Sequence, residues 1–412
     1  MKNLLIFSTF LFCAFTFSSI KKAQSTDHQF YWMKVAASDK FQRSIIADTG
    51  AAIEIVKDDY VIAYGNDVAL AKIKKHGWLQ ASSNLAFEKK DFPTTDSIYH
   101  NYTELTQDLT ELALKNPDLV QLTSIAKTSE GHDIWAVRIS NGFANPEQKP
   151  AAIYMGGHHA REHLSVELPL LWAQYLVNQF RAGDARIVRL LNSRDVHIIP
   201  TVNPDGMEYD IKDNSYKMWR KNRSRNADGT YGVDLNRNYG FQWGTGGSSS
   251  DTNSETYKGT KPFSEIESTA IKNYIESHTN ITVLLSFHSY SKLILFPWGH
   301  KYDGMEIIKD KDVHEVMAKK MSEWNGYTPQ QSSELYIASG DTTDWSYGVH
   351  KIISFTFELD PNSSGFGGGG FYPGPDVIQP VFQKNLEPML YLLEYSDNPY
   401  RVLNVGIGPI GP

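Results

Sequence analysis

The sequence predicts an α/β fold whose sheet is covered on both faces. Four near-continuous apolar runs carry this reading, at 151–155, 196–202, 281–287 and 351–357, with helical segments between them. Strands buried on both faces lose the apolar–polar alternation of half-exposed strands, so such runs mark an internal sheet. Polar groups also follow each run: His159 and Glu162, Asn203, His288 and Glu358. Open α/β sheets bind ligands outside the carboxyl ends of their strands, so four such ends point to one cleft.

Taken in order, the chain begins with a basic start, Met1-Lys-Asn, and a short apolar stretch through Phe17. It reads as a signal peptide over 1–25, too short for a comfortable membrane span. Residues 26–92 read as a small α/β unit, with strands at 51–56 and 60–64 and a helix at 67–75. Lys89-Lys-Asp-Phe-Pro93 is a polar junction marked by its proline. From 93 to 400 a larger domain is expected, opening with an amphipathic helix over 102–116 and a strand at 133–139. The four buried strands follow. Ser363 to Gly370 is a glycine-rich loop, and 401–412 is a tail.

Composition narrows the class further. The chain has 412 residues, 41% hydrophobic and 21% charged, which describes an ordinary globular protein. A net charge of -7 without a basic run argues against nucleic acid as a partner. The single cysteine, Cys13, lies inside the leader, so an exported mature chain would have no disulfide and any metal ligands would be His, Asp or Glu.

His159-Ala-Arg-Glu162 places an imidazole and a carboxylate three residues apart after a glycine turn. On a helical turn those side chains share a face. They are a zinc-type pair that needs one more ligand and an open position for water.

The chain resembles the secreted zinc carboxypeptidases of the funnelin (carboxypeptidase A/B) family, close to the bacterial carboxypeptidase T group. The resemblance rests on His159-x-x-Glu162, Asn203-Pro-Asp-Gly206, Trp219-Arg-Lys-Asn-Arg223 and Val233-Asp-Leu-Asn-Arg-Asn238. Ser286-Phe-His-Ser-Tyr-Ser291, Tyr336-Ile-Ala-Ser-Gly-Asp-Thr-Thr-Asp-Trp345 and Phe355-Thr-Phe-Glu-Leu359 complete it. It implies a mixed, mostly parallel sheet of about eight strands with helices on both faces, preceded by a propeptide over 26–92 that covers the cleft. It implies one Zn2+ held by His159, Glu162 and His288. Glu358 would be the general base toward a water that zinc activates, and Arg220 would stabilise the oxyanion. Arg237, with Asn236 and Tyr336, would grip the substrate's terminal carboxylate, and Arg161 would line a neighbouring subsite. Asp341 and Thr343 would shape a pocket for both apolar or aromatic and basic terminal residues.

The expected protein is thus an exported, monomeric carboxypeptidase acting on peptide C-termini. It is inhibited by its own propeptide and makes no stable membrane contact after leader removal. Its rivals are a cell-wall muropeptide carboxypeptidase of the same superfamily and an inactive binding module. His159-x-x-Glu162-His163 also fits an inverted zinc motif with two histidines four apart, and His158 and Glu162 are also four apart. The later motifs favour the first assignment.

Overall fold

The computed structural model describes residues 29–83, 98–143, 149–361 and 370–404. The leader, the junction at 89–93, most of the glycine-rich loop and the tail beyond residue 404 lie outside them. Residues 29–83 build their own sheet: β1 (Phe30–Ala36), α1 (Lys40–Asp48), β2 (Ala52–Val56), β3 (Tyr60–Asn66), α2 (Asp67–Lys75) and β4 (Leu79–Ser83). Its order is β2-β3-β1-β4. Met33, Val35, Ile46, Val61, Leu70 and Ile73 form a core of their own beneath it.

The larger unit follows with α3 (Tyr102–Lys115), β5 (Val120–Lys127), β6 (Asp133–Ile139), β7 (Ala151–Met155), α4 (Leu164–Ala182), α5 (Ala185–Ser193), β8 (Asp195–Ile199) and α6 (Pro204–Ile211). Then come α7 (Ile266–Ser277), β9 (Ile281–Ser289), β10 (Leu293–Phe296), α8 (Ile308–Asn325), β11 (Thr328–Gln331), α9 (Thr342–His350), β12 (Ile353–Leu359) and α10 (Ile378–Tyr395). The eight strands run β11-β10-β12-β9-β7-β8-β6-β5. The centre β12-β9-β7-β8 is parallel, and β6 and β5 close one side antiparallel. This is the mixed sheet that the apolar runs and the resemblance foretold.

β7 shows why its sequence is apolar throughout. Ala152 and Tyr154 pack into one core with Trp172 of α4, while Ala151, Ile153 and Met155 pack into another with Ile271 of α7. Alternate side chains of a strand point to opposite faces, so a two-sided core leaves no polar position.

Boundaries shift where backbone chemistry overrides the apolar pattern. β8 ends at Ile199 because Pro200 has no N–H for the ladder. β12 begins at Ile353 because Lys351, at φ +58°, terminates α9. His288 and Glu358 therefore lie inside the last residues of their strands rather than beyond them. The strands β4, β5 and β11 carry no strong apolar run. β11 reads Thr-Pro-Gln-Gln and is an edge.

Candidate active site

The residues after β7 turn sharply. Gly157 has φ +63°, and a Cβ on Gly156 would lie 1.9 Å from the Ser165 carbonyl oxygen, so only glycine fits there. His159 and Glu162 sit on the following turn, before α4 starts at Leu164, and not on a helix as the spacing suggested. Glu162 N donates to His159 O at 3.2 Å, and this turn aims both side chains at His288 on β9.

The three groups meet closely. His159 Nδ1 is 2.7 Å from Glu162 Oε1, His288 Nδ1 is 2.9 Å from Glu162 Oε2, and the two Nδ1 atoms are 3.2 Å apart. All three residues are buried. Two ring nitrogens facing each other, each against a carboxylate oxygen, form a donor set that can hold a cation. Burial opposes the charge of Glu162, yet His159 and His288 hold its carboxyl well below the ordinary range.

Asp234, a residue of the Val233–Asn238 motif to which sequence reasoning gave no role, stands behind this set. Its Oδ1 is 3.1 Å from His159 Nε2, which leaves Nδ1 as the ring nitrogen that faces the cluster. Its Oδ2 accepts from Arg220 Nε and Nη2, each at 3.1 Å. Arg220 thereby points at the cluster, with Nη1 3.9 Å from Glu162 Oε1. The neighbouring histidines turn away. His163 Nε2 bonds Asp210 at 2.9 Å, and His158 Nε2 lies 3.0 Å from both the Tyr239 hydroxyl and Thr342 Oγ1. Neither belongs to the cluster, which removes the geometric basis for the inverted motif.

Glu358 pairs in register with His288 across β12 and β9. Enclosed on most sides and open to the cleft, its carboxyl is pushed up to about 8 by burial and by the Glu162 carboxylate. A bound cation would act in the opposite direction. Asn236, Arg237, Tyr336, Asp341 and Thr343 line the same cleft. Asn236 Oδ1 accepts from Thr342 N and Oγ1, each at 3.0 Å. Arg237 is aimed by bonds from Nε to Gly247 O at 2.9 Å and from Nη1 to Asn236 O at 2.8 Å. Asp341 caps α9, its Oδ1 accepting from Asp344 N at 2.8 Å and from Thr343 Oγ1 at 2.7 Å. Its Oδ2 is buried without a partner. Burial and the Asp344 charge push this carboxyl up to about 7.

Arg161 is the expected site residue that the fold does not bring to the cleft lining. It is fully buried, bonded to Glu54 of β2, to Glu255 Oε2 at 3.0 Å and to Met218 O at 3.2 Å. The rings of Tyr64 and Phe371 lie 5.2 and 4.5 Å from its guanidinium carbon. The smaller unit reaches the site itself: Ile53, Glu54 and Val56 line the cleft. Its α1 holds the Tyr336 segment, Arg43 donating to the Glu334 and Leu335 carbonyls and Ser44 Oγ accepting from Ile337 N at 2.9 Å.

Residues 105–388 match the zinc carboxypeptidase family. A zinc carboxypeptidase of Saccharothrix mutabilis subsp. capreolus is 38% identical over 326 residues, covering 76% of this chain and 73% of that protein. Carboxypeptidase A2 of Rattus norvegicus is 34% identical over 308 residues, covering 73% of this chain and 71% of that one. The crystal structure of carboxypeptidase A from Helicoverpa armigera has the same fold, with a TM-score of 0.74 at 24% identity over 90% of this chain and 97% of that chain. Among the described residues no helix is long and apolar enough to cross a membrane. With the family match covering most of the larger unit, and two histidines and a glutamate converging at its strand ends, the chain belongs to the zinc carboxypeptidases and is a metallocarboxypeptidase.

Proposed function

We propose that the protein is an exported zinc exopeptidase, made as an inhibited precursor, which removes single residues from peptide C-termini. His159, Glu162 and His288 hold the metal, and the facing Nδ1 atoms with two carboxylate oxygens between them are the donor set that zinc suits. Bound zinc supplies Lewis acidity, lowering the pKa of a water and polarising the scissile carbonyl. Glu358 takes the proton of the attacking water and returns it to the leaving amine nitrogen. Arg220, held by Asp234, donates to the oxygen on which negative charge develops. Arg237 and Asn236 bind the terminal carboxylate, which fits a planar guanidinium through paired hydrogen bonds, and Tyr336 closes over it.

The observation that carries the reading is that a carboxylate-binding group, Arg237, lines the same cleft as the His–Glu–His cluster and Glu358. A fixed cation beyond the reacting centre selects a chain end over an internal bond. Asp341 and Thr343 read the terminal side chain, Asp341 through its unpartnered Oδ2. Arg161 lies next to Arg220 in charge and serves the substrate only once Glu54 has left.

The inhibited precursor is supported by Ile53, Glu54 and Val56 standing in the cleft. The Helicoverpa armigera structure shares its fold over 90% of this chain, which extends well outside residues 105–388. The test is an assay of processed protein, with and without a chelator, on peptides varied at the C-terminus. Cleavage of amidated or internal bonds as fast as free C-termini would refute the exopeptidase reading.

A further inference from the structure

Asn203 opens the Asn203-Pro-Asp-Gly206 motif, and its buried carboxamide reaches three segments at once. Oδ1 accepts from Gly206 N at 3.0 Å and caps α6. Nδ2 donates to His158 O at 3.2 Å and to Lys221 O at 3.1 Å. Those carbonyls stand one residue before His159 and one residue after Arg220. The two segments also meet directly, Ala160 N donating to Arg220 O at 3.0 Å. A Cβ on Gly206 would lie 2.6 Å from both Asn203 side-chain atoms and 2.7 Å from Lys221 O, so the carboxamide has a single seat.

We infer that Asn203 is a positioning residue for the reaction: its carboxamide locks the turn carrying His159 to the segment carrying Arg220. It thereby sets where the guanidinium stands relative to the ligand group. This rests on Arg220 being the oxyanion donor. Both acceptors are main-chain carbonyls, so the bonds restrain two backbones rather than one rotamer. Asp234 restrains the Arg220 side chain from the other end. An oxygen in place of Nδ2 would face two carbonyl oxygens and push the segments apart. Misplacement by about 1 Å costs on the order of 10²-fold in rate.

Asn203→Asp and Asn203→Ser both keep a cap acceptor for α6 and remove the two donors. The serine variant brings no charge into the site and serves where the aspartate variant does not fold. Each is expected to lower kcat by about 10²-fold with KM little changed. In an Arg220→Ala background the same substitution should lower kcat far less, because the group it places is gone. In metal-free protein the Ala160 amide should exchange hydrogen faster, with the amides of β7 and β8 unaltered. Additive losses in the double variant together with unchanged exchange at Ala160 would overturn the clamp. An Arg220→Ala enzyme with normal kcat would instead overturn the reading of Arg220.

Discussion

Glu358 stands in register with His288, the last-but-one residues of two adjacent parallel strands. The pairing puts a carboxylate and an imidazole of the His–Glu–His cluster side by side at one sheet end without any loop to hold them.

From that placement, Glu358→Gln should bind zinc and peptide normally while kcat falls by about 10²–10⁴-fold, the usual worth of a proton-transfer group. Metal analysis and steady-state kinetics check this. Near-normal turnover would remove Glu358 from the mechanism.

His288→Ala should lose stoichiometric zinc, whereas His163→Ala should retain it. His163 bonds Asp210, whose oxygens also accept from Trp219 N at 2.7 Å and from the Tyr372 hydroxyl, so its loss weakens packing instead. A lower Tm, with zinc still one per chain, is the expected result for His163→Ala.

Full-length protein should be nearly inactive until the chain before about residue 93 is removed. Glu54→Gln should raise the activity of the uncleaved chain, since charged hydrogen bonds such as that to Arg161 contribute about 1.5–3 kcal/mol. The same substitution cannot affect the processed enzyme, which no longer contains Glu54. Equal activity before and after proteolysis would make residues 29–83 an accessory domain.

Selectivity for basic C-termini should depend on pH. A carboxyl raised to about 7 is mostly neutral below that pH and charged above it, so kcat/KM for Lys and Arg termini relative to Leu should climb between pH 6 and pH 8. Asp341→Asn should flatten that climb and spare Leu and Phe, whose burial contributes about 1.5–3 kcal/mol without a charge. Equal losses across all termini would show that Asp341 only caps α9.

Much of the cleft lining was legible in the linear chain because the polar groups at strand ends follow apolar runs, and runs are local. Met155, Phe287 and Phe357 each announce a polar group within a few residues. Asp234 was not legible: its role lies in joining Arg220 to His159, a residue 75 positions away in sequence. Arg161 was expected to line a subsite, but it is buried outside the cleft lining, and its partner Glu54 comes from another sheet.

The sequence by itself determined the fold class and the buried central strands, which follow from periodicity and residue chemistry acting over a few positions. That His159, Glu162 and His288 belong together is what the resemblance of its motifs implied. Only the tertiary structure decided which histidines face inward, because side-chain direction depends on the turn geometry that Gly156 and Gly157 impose against Ser165 and Thr201. It also decided that Asp341 divides its oxygens between a helix cap and the cleft, and that Arg161 pairs with Glu54. The Arg161–Glu54 pairing joins segments far apart in the chain, and a buried charge takes whichever partner packing brings within reach.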